Sequence, residues 1–285
     1  MDPMQIGRDE VISLLKRAGD TCSMRVIAYL IGGGAMALRG EKDATKDIDL
    51  VLDSEKDAEA LRRAFEAQGF MVNSRHPAEC HAMVDAEILS RPTGLRVDIF
   101  VGRICDRLRF SEGMRARSTL VGEFGNIVLY MCSREDIFIL KSVTERTRDL
   151  DDMISLFRRG LDKDSILEEC ELQSAHVGLR QSQIWEAFLF VKVEEMERRH
   201  GVNVPWKRSL KAKAEMKVGS QNILVYMEKG ARSVTELSHE LKESQEFVRK
   251  CLHYLEEAGE IVADRGSRPY RFTISTGSAS AATNL

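Results

Sequence analysis

Apolar positions along the chain change period several times, and the changes outline the elements. Residues 7–19, GRDEVISLLKRAG, carry apolar side chains at helical spacing and end on glycine, which predicts a first helix. MRVIAYLIGG reads as a strand stopped by glycine, and residues 34–40 fit a short helix. KDIDLVLDS alternates as a strand. SEKDAEALRRAFEAQGF opens on Ser54 at an N-cap position and closes on Gly69, so it predicts a helix. MVNS, AEILS, GLRVDIFVG and GNIVLYMCS read as further strands, and SREDIFILKSVTERTRDLDDMISLFRRG as a helical run opened by Ser133. This alternation up to Gly160 argues for an α/β domain over residues 1–160.

The period is helical throughout Asp162–His200. DKDSILEECEL is one helix and QSQIWEAFLFVKVEEMERRH a longer one, whose Trp185, Phe188 and Phe190 can bury against either flanking domain or across a dimer. GVNVPWKRSLKAKAEMKVGS mixes Gly, Pro and basic residues and reads as a linker, making 161–218 a helical segment plus linker. Over 219–275, NILVYMEKG, VTELSHEL and SQEFVRKCLHYLEEAGE predict three helices. EIVADRGSRPYRFTIS predicts a hairpin, and the set makes a winged helix-turn-helix. The small, polar tail 276–285 reads as disordered.

Composition adds boundaries. The 285 residues are 43% hydrophobic and 31% charged, ordinary for a globular protein, and the net charge of −3 supplies no global basic field for nucleic acid. No apolar window approaches the length of a membrane span, and the start MDPMQIGRDEVISLL lacks a secretory pattern. Six scattered cysteines, Cys22, Cys80, Cys105, Cys132, Cys170 and Cys251, read as reduced thiols, so the expectation is a cytoplasmic protein with no membrane contact. His76, Cys80 and His81 in RHPAECH are too few by themselves for a four-ligand metal site.

One pattern departs from ordinary core building. In KDIDLVLDS, Asp47 and Asp49 fall on the same face of a strand while Ile48, Leu50 and Leu52 point the other way. Side-by-side carboxylates repel unless a cation or donors satisfy them, and a hard divalent ion such as Mg²⁺ (or Mn²⁺) prefers oxygen ligands of this kind. LRVDIF sets Asp98 inside another apolar strand, the same anomaly again. If the two strands are neighbours, three carboxylates converge beside the glycines of IGGGA, where the backbone admits close approach and a helix start suits phosphate. The loop is neither a Walker A sequence nor GxGxxG. Taken singly, a DID strand is often a solvated edge and a GG pair often a tight turn; strand, GG, short helix, DxD strand and later Asp together point to a metal–phosphate site.

These residues resemble the nucleotidyltransferase superfamily of the DNA polymerase beta type: GG, a short helix, then Dx[DE] flanked by apolar residues. GGGAMALRG…ATKDIDLVL, then VDIF, then EDIFILKSVTERTRDLDDM is similar to stand-alone bacterial and archaeal nucleotidyltransferase-like proteins, including the abortive-infection toxin group. The resemblance spans Ile27–Leu156. It implies a nucleotidyltransferase-type mixed sheet with helices, in which Asp47, Asp49 and Asp98 are catalytic and carry the metals. Gly32, Gly33, Thr45 and Lys141 would hold the nucleotide. Asp149 and Asp152 match a family DxxD, a spacing that also suits a solvated helix face. Relatives often carry Arg two residues before the Thr; this chain has Asp43, with Lys42 beside it.

The expected activity is therefore Mg²⁺-dependent transfer of a nucleoside monophosphate from an NTP to a hydroxyl of tRNA, protein or a small molecule. The alternatives are a nucleic-acid-binding regulator or a toxin–antitoxin component with a protein partner, its nucleotidyltransferase domain inactive or only sensing nucleotide. Arg103, Arg107, Arg109, Arg115 and Arg117 form one basic cluster that could steer a polyanion or simply face solvent. Trp206, Lys207, Arg208, Lys211 and Lys213 form another. Arg249 and Lys250 on the third C-terminal helix, with Arg265, Arg268 and Arg271 on the hairpin, are candidate DNA or RNA contacts, opposed by Glu246, Glu256 and Glu257.

Overall fold

Backbone pairing between distant strands organises the first half of the chain. In the computed structural model, which describes residues 4–73, 86–104, 108–144, 146–177, 183–230 and 232–275, the chain divides into two units, 1–169 and 170–285. RHPAECH, Cys80, Cys105, Arg107 and the tail 276–285 lie outside the described residues. Cys22, Cys132, Cys170 and Cys251 are buried free thiols. No helix among the described residues is long and apolar enough to cross a membrane.

The first unit is a mixed α/β assembly. After α1 (Arg8–Thr21) come β1 (Val26–Ile31), α2 (Gly32–Leu38), β2 (Asp47–Leu52), α3 (Glu55–Glu66), β3 (Met71–Val72), β4 (Ala86–Ser90) and β5 (Arg96–Val101). A small ribbon of β6 (Arg103–Ile104) and β7 (Leu108–Arg109) leads to α4 (Glu112–Arg117), β8 (Thr119–Phe124), β9 (Ile127–Met131), α5 (Arg134–Ser142), α6 (Thr147–Arg158) and α7 (Lys163–Val177). Seven strands form one sheet in the order β3-β4-β5-β2-β1-β9-β8. β1 runs antiparallel to β2 and parallel to β9, while β2 and β5 are parallel. The alternation of VIAYLI and DIDLVL puts Ala28, Leu30, Ile48, Leu50 and Leu52 in the core without exposure. Ser54 and Ser133 cap α3 and α5 as their sequence positions predict, each accepting a hydrogen bond from the backbone N–H of Asp57 and Asp136 respectively.

Three local readings change. The helical run from Ser133 breaks into α5 and α6, because Thr144 Oγ1 donates to the Lys141 carbonyl and so competes with the helix ladder. β8 carries no alternation legible in the sequence: it is an edge strand with a register shift between Leu120 and Gly122, and Leu120 is exposed. RICDRLRFSEGMRARS is no open basic face at its end. Arg117 donates to Asp136 and Glu169, both buried, and Arg115 pairs with Asp53 while lying over the Phe110 ring.

The second unit begins within α7 and continues through α8 (Trp185–His200), α9 (Lys207–Met227), β10 (Arg232–Ser233), α10 (Val234–Leu241), α11 (Gln245–Glu257), β11 (Ile261–Asp264) and β12 (Arg271–Ile274). The segment read as a linker is helical from Lys207, and α9 runs without interruption into NILVYM. Its Pro lies before the helix start, and Gly219, inside the helix, is where the Phe247 ring of α11 approaches: a Cβ there would lie 2.6 Å from the ring. Ile223, Leu224 and Met227 of α9 join Leu237, Val248, Leu252, Leu255 and Ile261 in one core. The three short strands form a sheet in the order β10-β12-β11. Within this unit, Lys217 pairs with Glu186 at 2.5 Å, both side chains nearly inaccessible, and Glu186 also accepts from Ser174. Removing one partner of such a pair costs about 3–5 kcal/mol, because the other charge stays buried.

Backbone contact fixes α1 against the strands. A Cβ on Gly19 would lie 1.7 Å from the Phe124 carbonyl oxygen, in the turn between β8 and β9, and the Asn126 N–H donates to the Gly19 carbonyl. Gly19→Ala should therefore push α1 off that turn and lower unfolding stability by about 3 kcal/mol, read as a fall in the urea midpoint at unchanged m-value.

Candidate active site

The site grows out of the β1–α2 bend. Gly32 follows β1 with φ +61°, and a Cβ there would lie 2.3 Å from Asp49 Oδ2, so both backbone conformation and space demand glycine. A Cβ on Gly33 would meet Thr45 Oγ1 at 2.8 Å. Thr45 is itself pinned: its backbone exchanges hydrogen bonds with Ile6, and its hydroxyl donates to the Asp47 carbonyl at 2.8 Å. The glycines, Thr45 and the start of β2 are thereby drawn to one point.

Strand register brings in the third acid. β2 and β5 pair in parallel with Asp49 opposite Asp98 and Asp47 opposite Arg96. Residues in register on adjacent strands share a face, so Asp47, Asp49 and Asp98 lie together, and Asp98 has no exposed surface. Burial, then the neighbouring Asp47 charge, pushes the Asp49 pKa up to about 6. Burial, then Asp49, pushes Asp98 up to about 8. Arg96 and Arg146 act in the opposite direction on both.

Arg96 is a residue that sequence reasoning missed, as are Lys46, Arg146 and Arg148 of the adjoining cavity. The Arg96 Nε lies 2.8 Å from Asp98 Oδ1 and its Nη2 3.3 Å from Asp47 Oδ2. The signal was present in LRVDIF, where Arg96 sits two residues before Asp98 and so on the same strand face. Despite this close charge, neither Asp98 carboxylate oxygen accepts a hydrogen bond among the described residues. Arg148 stands farther out, 3.8 Å from Asp47.

A cavity of about 330 Å³ opens at the acids, lined by Gly32, Gly33, Asp47 and Asp49 and by the cations Lys42, Lys46, Lys141, Arg146 and Arg148. Lys141 donates to Asp149 at 2.7 Å and pairs with Asp152 at 2.7 Å. Burial alone would lower the Lys141 pKa, but those two carboxylates outweigh it and hold the pKa above the usual lysine value. Asp149 goes the other way: burial opposes its charge, and Lys141 and Thr144 more than compensate. Asp152 also accepts two 2.9 Å hydrogen bonds from Lys42. The DxxD pair is therefore no solvated helix face; both acids are buried and orient two lysines. Asp43 is exposed and lines no part of the cavity, while Lys42 and Lys46 supply positive charge at that edge.

The donor set has the chemistry of a hard-cation site: oxygen ligands only, a buried carboxylate without hydrogen bonds, and a second acid crowded against it. As placed, however, no three acidic, His or Cys side chains among the described residues already converge to hold a metal ion, and the Arg96 guanidinium supplies positive charge within the cluster.

The remaining sequence candidates lie in the second unit and are largely matched by acids. Arg249 donates to Gln245, Lys250 to Glu246, Arg265 to Glu256 and Arg271 to Glu236. Arg268 is exposed in the hairpin turn. Of the second basic cluster, Lys207 pairs with Glu197 and Lys213 with Glu171, and Trp206 is buried.

No family model and no curated protein matches the chain. Among solved structures it is similar to JHP933 from Helicobacter pylori, with 14% identity, 76% of this chain and 96% of that chain covered, and a TM-score of 0.34. A likeness this low carries no argument, and the functional reading rests on the site itself.

The raised carboxyl pKa values set a pH dependence. In the metal-free protein Asp49 and Asp98 retain protons that the unfolded chain, with aspartate near 3.8, has already lost. Their ionisation therefore costs stability progressively as pH rises from about 4 through about 8, and the cost levels off above that. Asp98→Asn removes the larger share. In EDTA its Tm should exceed that of the wild type by several degrees near pH 8.5, and the gap should narrow near pH 5, as read by calorimetry.

Proposed function

We propose that the first unit is a nucleotidyltransferase that moves a nucleoside monophosphate from an NTP to a hydroxyl acceptor and releases pyrophosphate. The observation that carries this reading is the register of Asp49 against the buried Asp98, with Asp47 on the same face, where Asp47 and Asp49 line a cavity rimmed by five cationic side chains. Acids alone would repel a triphosphate and lysines alone would only bind one; acids able to hold a divalent cation beside fixed lysines suit transfer of a nucleotidyl group to a hydroxyl.

Mg²⁺ or Mn²⁺ bound by Asp47, Asp49 and Asp98 would neutralise the acids and the phosphates and lower the pKa of the attacking hydroxyl. The chain's own groups account for the rest. Gly32 and Gly33 leave room for Asp49 and Thr45 and line the cavity themselves, where their backbone would meet the phosphate oxygens. Lys141 and Lys42, held by Asp149 and Asp152, present fixed positive charge to the phosphates, and Lys46, Arg146 and Arg148 extend it. Asp98 takes the proton of the acceptor hydroxyl as its oxygen bonds to the α-phosphorus. The bond from that phosphorus to the bridging oxygen breaks, and pyrophosphate leaves with the electron pair.

The second unit we read as a winged helix, from α9, α10 and α11 with the β11–β12 hairpin as wing. Because its helix and wing cations pair with neighbouring acids, we read it as a protein-interaction module in preference to a DNA or RNA reader. A second reading of the whole chain, a nucleotide sensor without transfer activity, is favoured by one observation: Arg96 stands among the acids where a cation would otherwise be needed.

Incubation with each labelled NTP, Mg²⁺ and total RNA or protein should give label transfer, and Asp47→Ala or Asp49→Ala should reduce it by roughly a hundredfold or more. NTP binding by calorimetry without any transfer would select the sensor, and absence of NTP binding would remove both readings.

A further inference from the structure

The three acids put more negative charge on one face of the sheet than a protein interior holds unaided, and the chain places an arginine directly against that charge. Arg96 stands opposite Asp47 in the β2–β5 register, and Asp98 opposite Asp49, so one cation and three acids occupy a four-residue patch on adjacent strands. From this position the Arg96 guanidinium reaches Asp98 at 2.8 Å and Asp47 at 3.3 Å.

The pairing differs from two other arginine–acid contacts of this unit. Arg117 makes three hydrogen bonds to Asp136 and a further one to Glu169. Arg115 makes two to Asp53. Both are directed contacts of the kind that stabilise folded structure. At Asp98, fully buried, the nearest charge is equally close, yet no hydrogen bond reaches either oxygen. Buried polar atoms are almost always satisfied, and an exception calls for an ion or a functional state that completes it. Arg96 compensates the charge of Asp98 without using its lone pairs. Its side chain also remains 15% exposed, so it has a route outward that does not cross the core.

We propose that Arg96 is a displaceable internal counter-ion: it neutralises the acid cluster in the metal-free protein and yields when a divalent cation binds, thereby setting the metal affinity of the site. This rests on the reading of Asp47, Asp49 and Asp98 as metal ligands. A guanidinium and a divalent cation drawn to the same oxygens repel each other, so each must bind at the other's expense. Arg96 is in this sense a positioning residue, one that keeps the carboxylates gathered while weakening the site for metal.

The test uses the full chain, with Mn²⁺ as the probe. Binding is followed by calorimetry and by the spin-resonance signal of free Mn²⁺, for the wild type and Arg96→Met. The variant should bind Mn²⁺ at least about tenfold more tightly. In EDTA its Tm should lie below that of the wild type, and Mn²⁺ should raise it by more. A purely structural arginine would lower Tm without improving metal affinity. Should Arg96→Met fail to fold, Arg96→Gln is judged by the same criterion. Adding Asp49→Asn to the variant should abolish the gain; a gain that survives places the ion elsewhere and overturns the proposal. Wild-type binding that Arg96 substitution leaves unchanged or weakens overturns the counter-ion role alone. No Mn²⁺ binding by any variant removes the metal-site reading together with it.

Discussion

Two carboxylates on adjacent parallel strands, Asp49 and Asp98, stand in register on one face of the central sheet, and much of the first unit is arranged around that contact. Neighbouring strands lie about 4.8 Å apart, so the two charges cannot separate without breaking the ladder. Burial deepens the conflict, raising both pKa values. The surroundings answer it at each side. Gly32 leaves room for Asp49, Thr45 ties down the backbone of Asp47, and Arg96 brings a positive charge among the acids.

A sheet can sustain this conflict because its opposite face is uncompromised. Ile48, Leu50 and Leu52 alternate with the acids and are fully buried, as are Val97 and Leu30 on the flanking strands. Each such side chain contributes about 1.5–3 kcal/mol when fully buried, enough in sum to hold a locally unfavourable patch in place. Beside the acids, Lys141 and Lys42 line the same cavity and are paired with Asp149 and Asp152. The break between α5 and α6 contributes to this pairing. Thr144 bonds both to the Lys141 carbonyl and to Asp149, so the residue that ends one helix also anchors the acid of the next. The lysines are thereby held in place before any anion arrives, which reduces the ordering cost of binding.

The second unit follows a different economy of charge. Its helices pack through Ile223, Leu224, Val248 and Leu252, and several of its exposed cations are paired with acids, Lys250 with Glu246 one helical turn away and Arg271 of β12 with Glu236 of α10. A deeply buried ion pair, Glu186–Lys217, is completed by Ser174 and joins α8 to α9. Such a pair adds little net stability over an apolar replacement but disfavours misaligned packing, which would leave a charge unmatched.

The amino-acid sequence by itself determined what depends on neighbours along the chain. Period-two alternation set the faces of KDIDLVL, the glycines marked the bend after β1, and Ser54 and Ser133 announced helix starts, because each effect acts over a few residues. The DxD acids and the buried Asp98 were visible as charges inside apolar strands for the same reason. Tertiary structure alone decided the rest. Whether Asp98 meets Asp49 depends on the pairing and register of strands nearly fifty positions apart, and a slip of one residue would turn it to the other face. Arg96 became a member of the site through that same register. β8 escaped notice because an exposed edge strand needs no apolar alternation, and the helical continuation of α9 from Lys207 was hidden by a basic, proline-preceded stretch that is helical in a unit where α9 packs against α8 and α11. Local sequence carries local preference; the meeting of charges from separate segments is a property of the packed chain.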